Sequence, residues 1–257
     1  MWICMLRELE VAINAVKAAG RISLDHFGEK IPFQMKADGS PVTSSDKCCD
    51  AAILGIIRRN FPDDSVLSEE SAELRNDLRR RWIIDPIDGT KAFLRGLPTY
   101  GNMVAFEQDG KIVAGAINIP AMGILMHAEV GKGAFVNGKR VHASSETRLS
   151  NAYILHGRGK GFLEKGYLKK LRKLLNAAYH SWGMSEPFAH YLVATGKADA
   201  FVETFPKPWD VAAAKIIISE AGGKFSDLSG KDTLCSDTIA IYSNNRLHPS
   251  LMKILRK

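Results

Sequence analysis

The sequence predicts a layered α/β or α+β fold, because amphipathic helical spacing alternates with short β-branched runs in both halves, and turn residues bound those runs. At 257 residues, with 46% hydrophobic and 25% charged residues, the chain can bury a large core without disulfides.

Over residues 5–28, Leu6, Val11, Ala12, Ile13, Val16, Ala19, Ile22 and Phe27 recur at helical spacing, predicting a helix with one buried face. A turn-rich segment follows at 36–41. A second helix is predicted over 45–60, with Ile53, Leu54, Ile56 and Ile57 as its apolar residues, a cap at Thr43, Ser44 or Ser45, and Pro62 as its stop. The period then shortens, and strands are predicted over 65–68, 81–84, 101–108, 111–118 and 124–129. Asp109-Gly110 marks a hairpin between two of these, since Gly supplies the positive φ of a tight turn, and Asn137-Gly138 marks a second turn. Further on, helices are predicted near 161–176, near 187–195, over 211–221 and from 249, with strands over 198–203 and 239–243.

The formal charge is +7, which favours anionic ligands. Much of it is local: Arg79, Arg80 and Arg81 form one run, while Lys165, Lys169, Lys170, Arg172 and Lys173 fall on a predicted surface helix, a pattern that usually means a solvated basic face. Nucleic acid is therefore the less favoured partner. Cys4, Cys48, Cys49 and Cys235 form no C-x-x-C pair and are expected to be reduced. The apolar opening from Met1 to Leu6 is too short for a signal-peptide core or a membrane span, so a cytoplasmic protein without membrane contact is expected. The seven histidines are scattered without metal-ligand spacing; His190 and Tyr191 would approach a pocket only if the helix after Pro187 lines it.

The chemistry concentrates in Trp82-Ile83-Ile84-Asp85-Pro86-Ile87-Asp88-Gly89-Thr90. An apolar strand ends in two carboxylates separated by a Pro, then passes through Gly into a segment able to start a helix. Hard divalent cations take oxygen ligands, and magnesium leaves several positions to water and substrate phosphate. Gly89 and Thr90 offer backbone amides for an anion beside such a metal. Alone, Asp-Gly-Thr is as well explained by a turn and cap. Three further acidic loops change that balance: Ser68-Glu69-Glu70 after a strand, Pro208-Trp209-Asp210 before a helix, and Asp38-Gly39-Ser40-Pro41-Val42-Thr43 followed by Asp46.

With DGSPVTSSD, SEES, WIIDPIDGT and PWDVAAAKIIISEAGG in this order, nearly the whole chain resembles the inositol monophosphatase superfamily. The resemblance implies a five-layered αβαβα sandwich of the α/β (α+β) class. It would be one domain over 1–257, with packed halves near 1–140 and 141–257. It also implies a homodimer, often lithium-sensitive, that hydrolyses small phosphate monoesters with two or three Mg2+ ions. Carried over residue by residue, Glu69, Asp85 and the Ile87 carbonyl would hold one metal, and Asp85, Asp88 and Asp210 a second. Asp46 would lie near a weaker third and orient the Thr90 hydroxyl toward the attacking water; Gly89 and Thr90 would bind phosphate. Divalent ions there would lower the pKa of water and neutralise the leaving oxygen.

Glu203, seven residues before Asp210, is similar to the family's glutamate that binds a substrate hydroxyl. Lys91 and the G-x-P-T-Tyr-G run over 96–101 are similar to the histidinol-phosphate phosphatase branch, and Glu186 beside Glu203 would pair with the substrate's ammonium. The segment 182–186 lacks that branch's aspartate and aromatic pattern, which keeps inositol 1-phosphate open as the substrate. Two alternatives stand beside this reading: a phosphatase of nucleotides or sugar bisphosphates, and a non-catalytic protein that binds nucleic acid or the transcription machinery.

Overall fold

The computed structural model describes residues 6–37, 39–71, 79–234 and 238–256. Asp38, Cys4, Cys235 and the side chain of Glu186 lie outside the described part.

Helix α1 (Arg7–Asp25) buries Leu9, Val11, Ala12, Ala15, Val16 and Ala19 along one face, as its spacing predicts. The turn-rich segment that follows connects a small hairpin, β1 (Phe33–Met35) and β2 (Pro41–Thr43). Helix α2 (Ser44–Asn60) starts on a capping box: the Thr43 hydroxyl accepts from the amides of Ser45 and Asp46, and the Asp46 carboxylate accepts from the Thr43 amide at 2.7 Å. Phe61, one residue before Pro62, is its C-terminal cap.

Next come β3 (Ser65–Ser68), β4 (Arg80–Asp88), the short helix α3 (Thr90–Leu94), β5 (Gly101–Gln108), β6 (Lys111–Ile119), β7 (Ile124–Glu129), β8 (Gly133–Val136) and β9 (Lys139–Val141). These strands form one seven-stranded sheet in chain order, with β3 parallel to β4 and every later pair antiparallel. The rest of the chain gives β10 (Tyr153–His156), α4 (Gly159–Glu164), α5 (Leu168–Ala177), β11 (His180–Gly183), α6 (Glu186–Ala194), β12 (Ala200–Thr204), α7 (Pro208–Glu220), β13 (Gly223–Asp227), β14 (Ile239–Asn244) and α8 (His248–Arg256). Its five strands run in the order β11-β10-β12-β14-β13.

Three apolar clusters bind these elements into αβαβα layers. In the first, α1 and α2 cover one face of the large sheet through Val16, Ile53, Trp82, Val104 and Phe106. Residues Val211, Ala212, Ala213, Ile217 and Ile218 of α7 fill the space between the sheets, joined by Ala189 and Val193 of α6. Phe162, Leu174, Leu251 and Leu255 of α4, α5 and α8 cover the outer face of the second sheet. Among the described residues, no helix is long and apolar enough to cross a membrane.

The helix predicted near 161–176 is two, because Gly166 at φ 74° turns the chain between α4 and α5. Strands β1, β2, β8, β9, β10, β11 and β13 are not among those the sequence predicts; each has five residues or fewer, too short to show a clear period. The arginine run is largely structural: Arg80 pairs with Asp64 at 2.8 Å and Glu8 at 3.0 Å, and Arg81 with Glu107 at 2.6 Å.

His248 is buried between the Ser226 and Ser243 hydroxyls, 2.9 and 2.7 Å from its ring nitrogens. Burial, then the nearby Lys224 and Arg256, push its pKa from 6.5 down to about 4. The folded state therefore holds this ring neutral where the unfolded chain would protonate it. Its contribution is present above pH 6.5 and fades toward pH 4, by roughly 3 kcal/mol. Urea unfolding of the wild type should weaken over that window, and His248→Gln should flatten the slope; parallel curves would contradict this assignment.

Candidate active site

On a regular strand, residues three apart face opposite sides, so Asp85 and Asp88 could not share a site on an unbroken β4. The β4–β5 register shifts between them: Asp85 pairs with Met103, Asp88 with Gly101. This irregularity at Pro86 and Ile87 brings both carboxylates to one side. Asn102 Nδ2 holds it by donating to the Pro86 carbonyl at 2.6 Å. Asp210 enters from the first turn of α7, where its Oδ2 accepts from the Lys207 amide at 2.7 Å. Carboxylate oxygens of Asp85, Asp88 and Asp210 lie within 4.8 Å of one another, a group that could hold a metal ion.

Glu69 follows β3 and is tied to β4 by its amide, which donates to the Ile84 carbonyl at 3.2 Å. It lines the same cleft but stands outside the three-carboxylate group. Its Oε1 accepts from Lys36 Nζ at 2.8 Å, and Glu70 accepts from the same ammonium at 2.5 Å. Burial opposes the charge on Lys36, but the two carboxylate hydrogen bonds outweigh it and raise its pKa.

The acids are held under electrostatic pressure. Burial first, then Glu69, Asp88, Asp210 and Asp46, hold the Asp85 carboxyl well above the usual carboxylate range, and its Oδ1 is buried without a hydrogen-bond partner. Burial raises Asp210 to about 6 although the Lys207 amide works against it. An orphaned acceptor among crowded carboxylates, with oxygen as the only donor type, fits a hard divalent cation, which would supply the missing ligand and relieve the repulsion.

Thr90 opens α3 after Gly89, whose φ of 83° suits glycine. The Thr90 hydroxyl lies 3.2 Å from Asp46 Oδ1 and 3.1 Å from the Ile87 carbonyl, so the Asp46 and Thr90 paired from sequence are in contact. Asp46 is buried, and burial raises its pKa against the opposing hydrogen bonds from Thr43.

Glu69, Asp85, Asp88, Thr90 and Asp210 line a cleft of about 230 Å³, which Glu203 and Ser185 also line. Lys91, Arg158 and Lys207 line it as well. Phe205 forms part of the wall with a φ of 56°, unusual for a bulky residue. His190 is buried in the core rather than exposed on a pocket wall. Lys36, Arg158 and Lys207 were missed as site residues, because each is a lone cation in a segment that resembles any surface loop.

A family model described as the inositol monophosphatase family matches residues 5–257. The chain belongs to the inositol monophosphatase family. Among its curated relatives, the histidinol-phosphatase of Chlorobaculum parvum is 36% identical, over 96% of each chain. The fructose-1,6-bisphosphatase/inositol-1-monophosphatase of Thermotoga maritima is 31% identical, over 97% of this chain and 96% of its own. The extragenic suppressor protein suhB from Bartonella henselae superposes with a TM-score of 0.92 at 30% identity, covering 98% of this chain and 99% of its own. The layered fold is thus the family's fold.

Asn102→Ala should leave the Pro86 carbonyl without its buried donor and loosen the β4 irregularity. A loss on the order of 2 kcal/mol in urea unfolding is expected; unchanged stability would mean that the bend does not depend on this bond.

Proposed function

We propose that the chain is a Mg2+-dependent phosphatase of small phosphate monoesters, with histidinol phosphate as the preferred substrate. The observation that carries the reading is the convergence of Asp85, Asp88 and Asp210 within 4.8 Å in a cleft also lined by Lys91, Arg158 and Lys207. Glu69, Asp85 and the Ile87 carbonyl would hold one ion, and Asp85, Asp88 and Asp210 another, with Asp46 near a weaker third. When bound, such ions lower the pKa of water and neutralise charge on a leaving oxygen.

The chain's own groups do the remaining work. Asp46 accepts from the Thr90 hydroxyl, which fixes that hydroxyl beside the cleft to orient the attacking water. The amides of Gly89 and Thr90 bind equatorial phosphate oxygens. Lys91 and Arg158 attract the dianion, and Glu203 meets the alcohol portion of the substrate. An acid there suits an ammonium as well as a hydroxyl, and the name of the Chlorobaculum parvum relative favours the ammonium; Glu186 is assigned to the same task from sequence. A homodimer, lithium inhibition and a cytoplasmic location belong to this reading as further expectations.

Asp88→Asn should reduce phosphate release at least about a hundredfold while the melting temperature stays within a few degrees; near-normal turnover would overturn the ligand assignment. Phosphate release from histidinol phosphate and inositol 1-phosphate, each with Mg2+ and with chelator, tests the substrate. A kcat/KM at least about tenfold higher for histidinol phosphate, abolished by chelator, is expected. Preference for inositol phosphate would reassign Glu203 to a polyol, and turnover of neither would favour a binding role.

A further inference from the structure

Helix α2 buries Asp46, Cys49, Asp50, Ile53 and Ile57. Asp46 and Asp50 are one helical turn apart and so share a face. Asp46 meets the Thr90 hydroxyl, but the phosphatase reading gives Asp50 no task. A carboxylate taken out of water is costly unless its oxygens find donors, and an apolar residue at this position would simply extend the buried stripe.

Both oxygens of Asp50 are engaged, and by the two residues that bracket Glu69 and Glu70. The Ser68 hydroxyl donates to Oδ1 at 2.6 Å and the Ser71 hydroxyl to Oδ2 at 2.5 Å, the short distances of hydroxyls on a carboxylate. An asparagine would offer only one acceptor oxygen for these two donors. The Ser68 oxygen also accepts from the Glu70 amide at 3.3 Å, which passes the hold to the backbone of the turn. Strand β3 ends at Ser68, and the Glu69 amide ties the turn to the Ile84 carbonyl of β4.

The turn is under stress. Burial raises the Glu70 pKa against its bonds to Lys36, and the charges of Glu69 and Asp50 add to the rise. Swinging Glu69 or Glu70 outward would relieve this crowding, and the two bonds to Asp50 oppose that movement by fixing both ends of the turn.

We propose that Asp50 is a positioning residue for Glu69: by accepting from Ser68 and Ser71 it clamps the turn between them and holds the Glu69 carboxylate at the cleft for a divalent cation. The inference rests on the phosphatase reading, which makes Glu69 a metal ligand, and adds to it the group that sets that ligand's place. Glu69 lines the cleft and Asp50 is not among its lining residues, so Asp50 acts through Glu69 rather than on the substrate.

Mn2+ binding to the full chain, read from the loss of the free-ion electron paramagnetic resonance signal, tests this without substrate. Asp50→Ala and Glu69→Gln should each weaken binding about tenfold, and the pair together should add less than about twofold to either alone. Ser68→Ala combined with Ser71→Ala, which keeps the Asp50 charge and removes both bonds, should weaken binding as much as Asp50→Ala does. In phosphate release the Mg2+ requirement of Asp50→Ala should rise about tenfold, and saturating Mg2+ should restore kcat to within about threefold. If Asp50→Ala does not fold, Ser71→Ala decides in its place, with an expected loss of Mn2+ affinity of about threefold.

Wild-type Mn2+ affinity in folded Asp50→Ala, whatever its melting temperature, would leave Asp50 a stability residue and overturn the proposal. Additive losses with Glu69→Gln, or full affinity in the serine pair, would overturn it as well. Failure of the underlying reading looks different. Undiminished binding in Glu69→Gln removes Glu69 from the ligands and ends both assignments. Coupled Mn2+ losses in a chain that releases phosphate from neither histidinol phosphate nor inositol 1-phosphate end the phosphatase reading and leave the Asp50–Glu69 link standing.

Discussion

Holding Asp85, Asp88 and Asp210 together against their mutual repulsion is the constraint on which the architecture around the cleft depends. At separations of 4.8 Å or less, two unit charges repel by roughly 3 kcal/mol or more at an effective dielectric of about 20. Flexible loops would relax away from such a cluster. Here each acid is fixed by backbone that has little freedom to move: Asp85 by its pairing within the large sheet, Asp88 by the shifted register against Gly101, and Asp210 by its role in the α7 cap. The raised pKa values of Asp85 and Asp210 express the same stress, since protonation is how such a cluster relaxes without a cation.

Helix α7 links this electrostatic problem to the core. Its N-terminal turn carries Asp210, and the residues that follow, Val211, Ala212, Ala213 and Ala214, are buried and mostly small. Small side chains let the helix approach the large sheet so closely that a Cβ on Gly115 of β6 would meet Ile216 Cγ2 at 2.7 Å and Ala213 Cα at 3.1 Å. That packing anchors the helix, and with it Asp210, relative to Asp85 on β4, two strands away in the same sheet. The apolar stretch after Trp209-Asp210 and the acid in front of it therefore act as one device: burial provides the energy that holds the charge in place.

This division explains what was legible in the sequence. Asp85, Asp88 and Asp210 could be singled out because each stands where a strongly apolar run meets a turn, and the cap at Thr43 with Asp46 follows a local rule. The two long helices and the main strands show their period over many residues. Lys36 could not be read in the same way. Its position depends on the β1–β2 hairpin, three residues in each strand, folding over the end of β3, and its partners Glu69 and Glu70 are more than thirty residues away in the chain. The same holds for Arg158, which reaches the cleft only because β10 lies beside β12 in the second sheet. Non-local pairing of short elements placed these cations, and no local pattern encodes it.

The positive φ of Phe205, a bulky cleft residue, follows from the same geometry. Glu203 lies near the end of β12 and Asp210 in the first turn of α7, and the chain between them must leave the second sheet, line the cleft and start a helix within six residues. Phe205, at φ 56°, makes that reversal at a cost of order 1–3 kcal/mol, where glycine would have cost little. Tertiary contacts offset the strain: the Phe205 amide donates to the Thr238 carbonyl at 2.8 Å, Tyr167 stacks on its ring at 6.0 Å, and the Lys165 ammonium sits 4.5 Å from the ring centre. Replacing the ring by glycine would relieve the backbone and remove the last two contacts together. The strained turn is thus a consequence of bringing a carboxylate from a strand and a carboxylate from a helix to one cleft, with an aromatic side chain holding the connection closed.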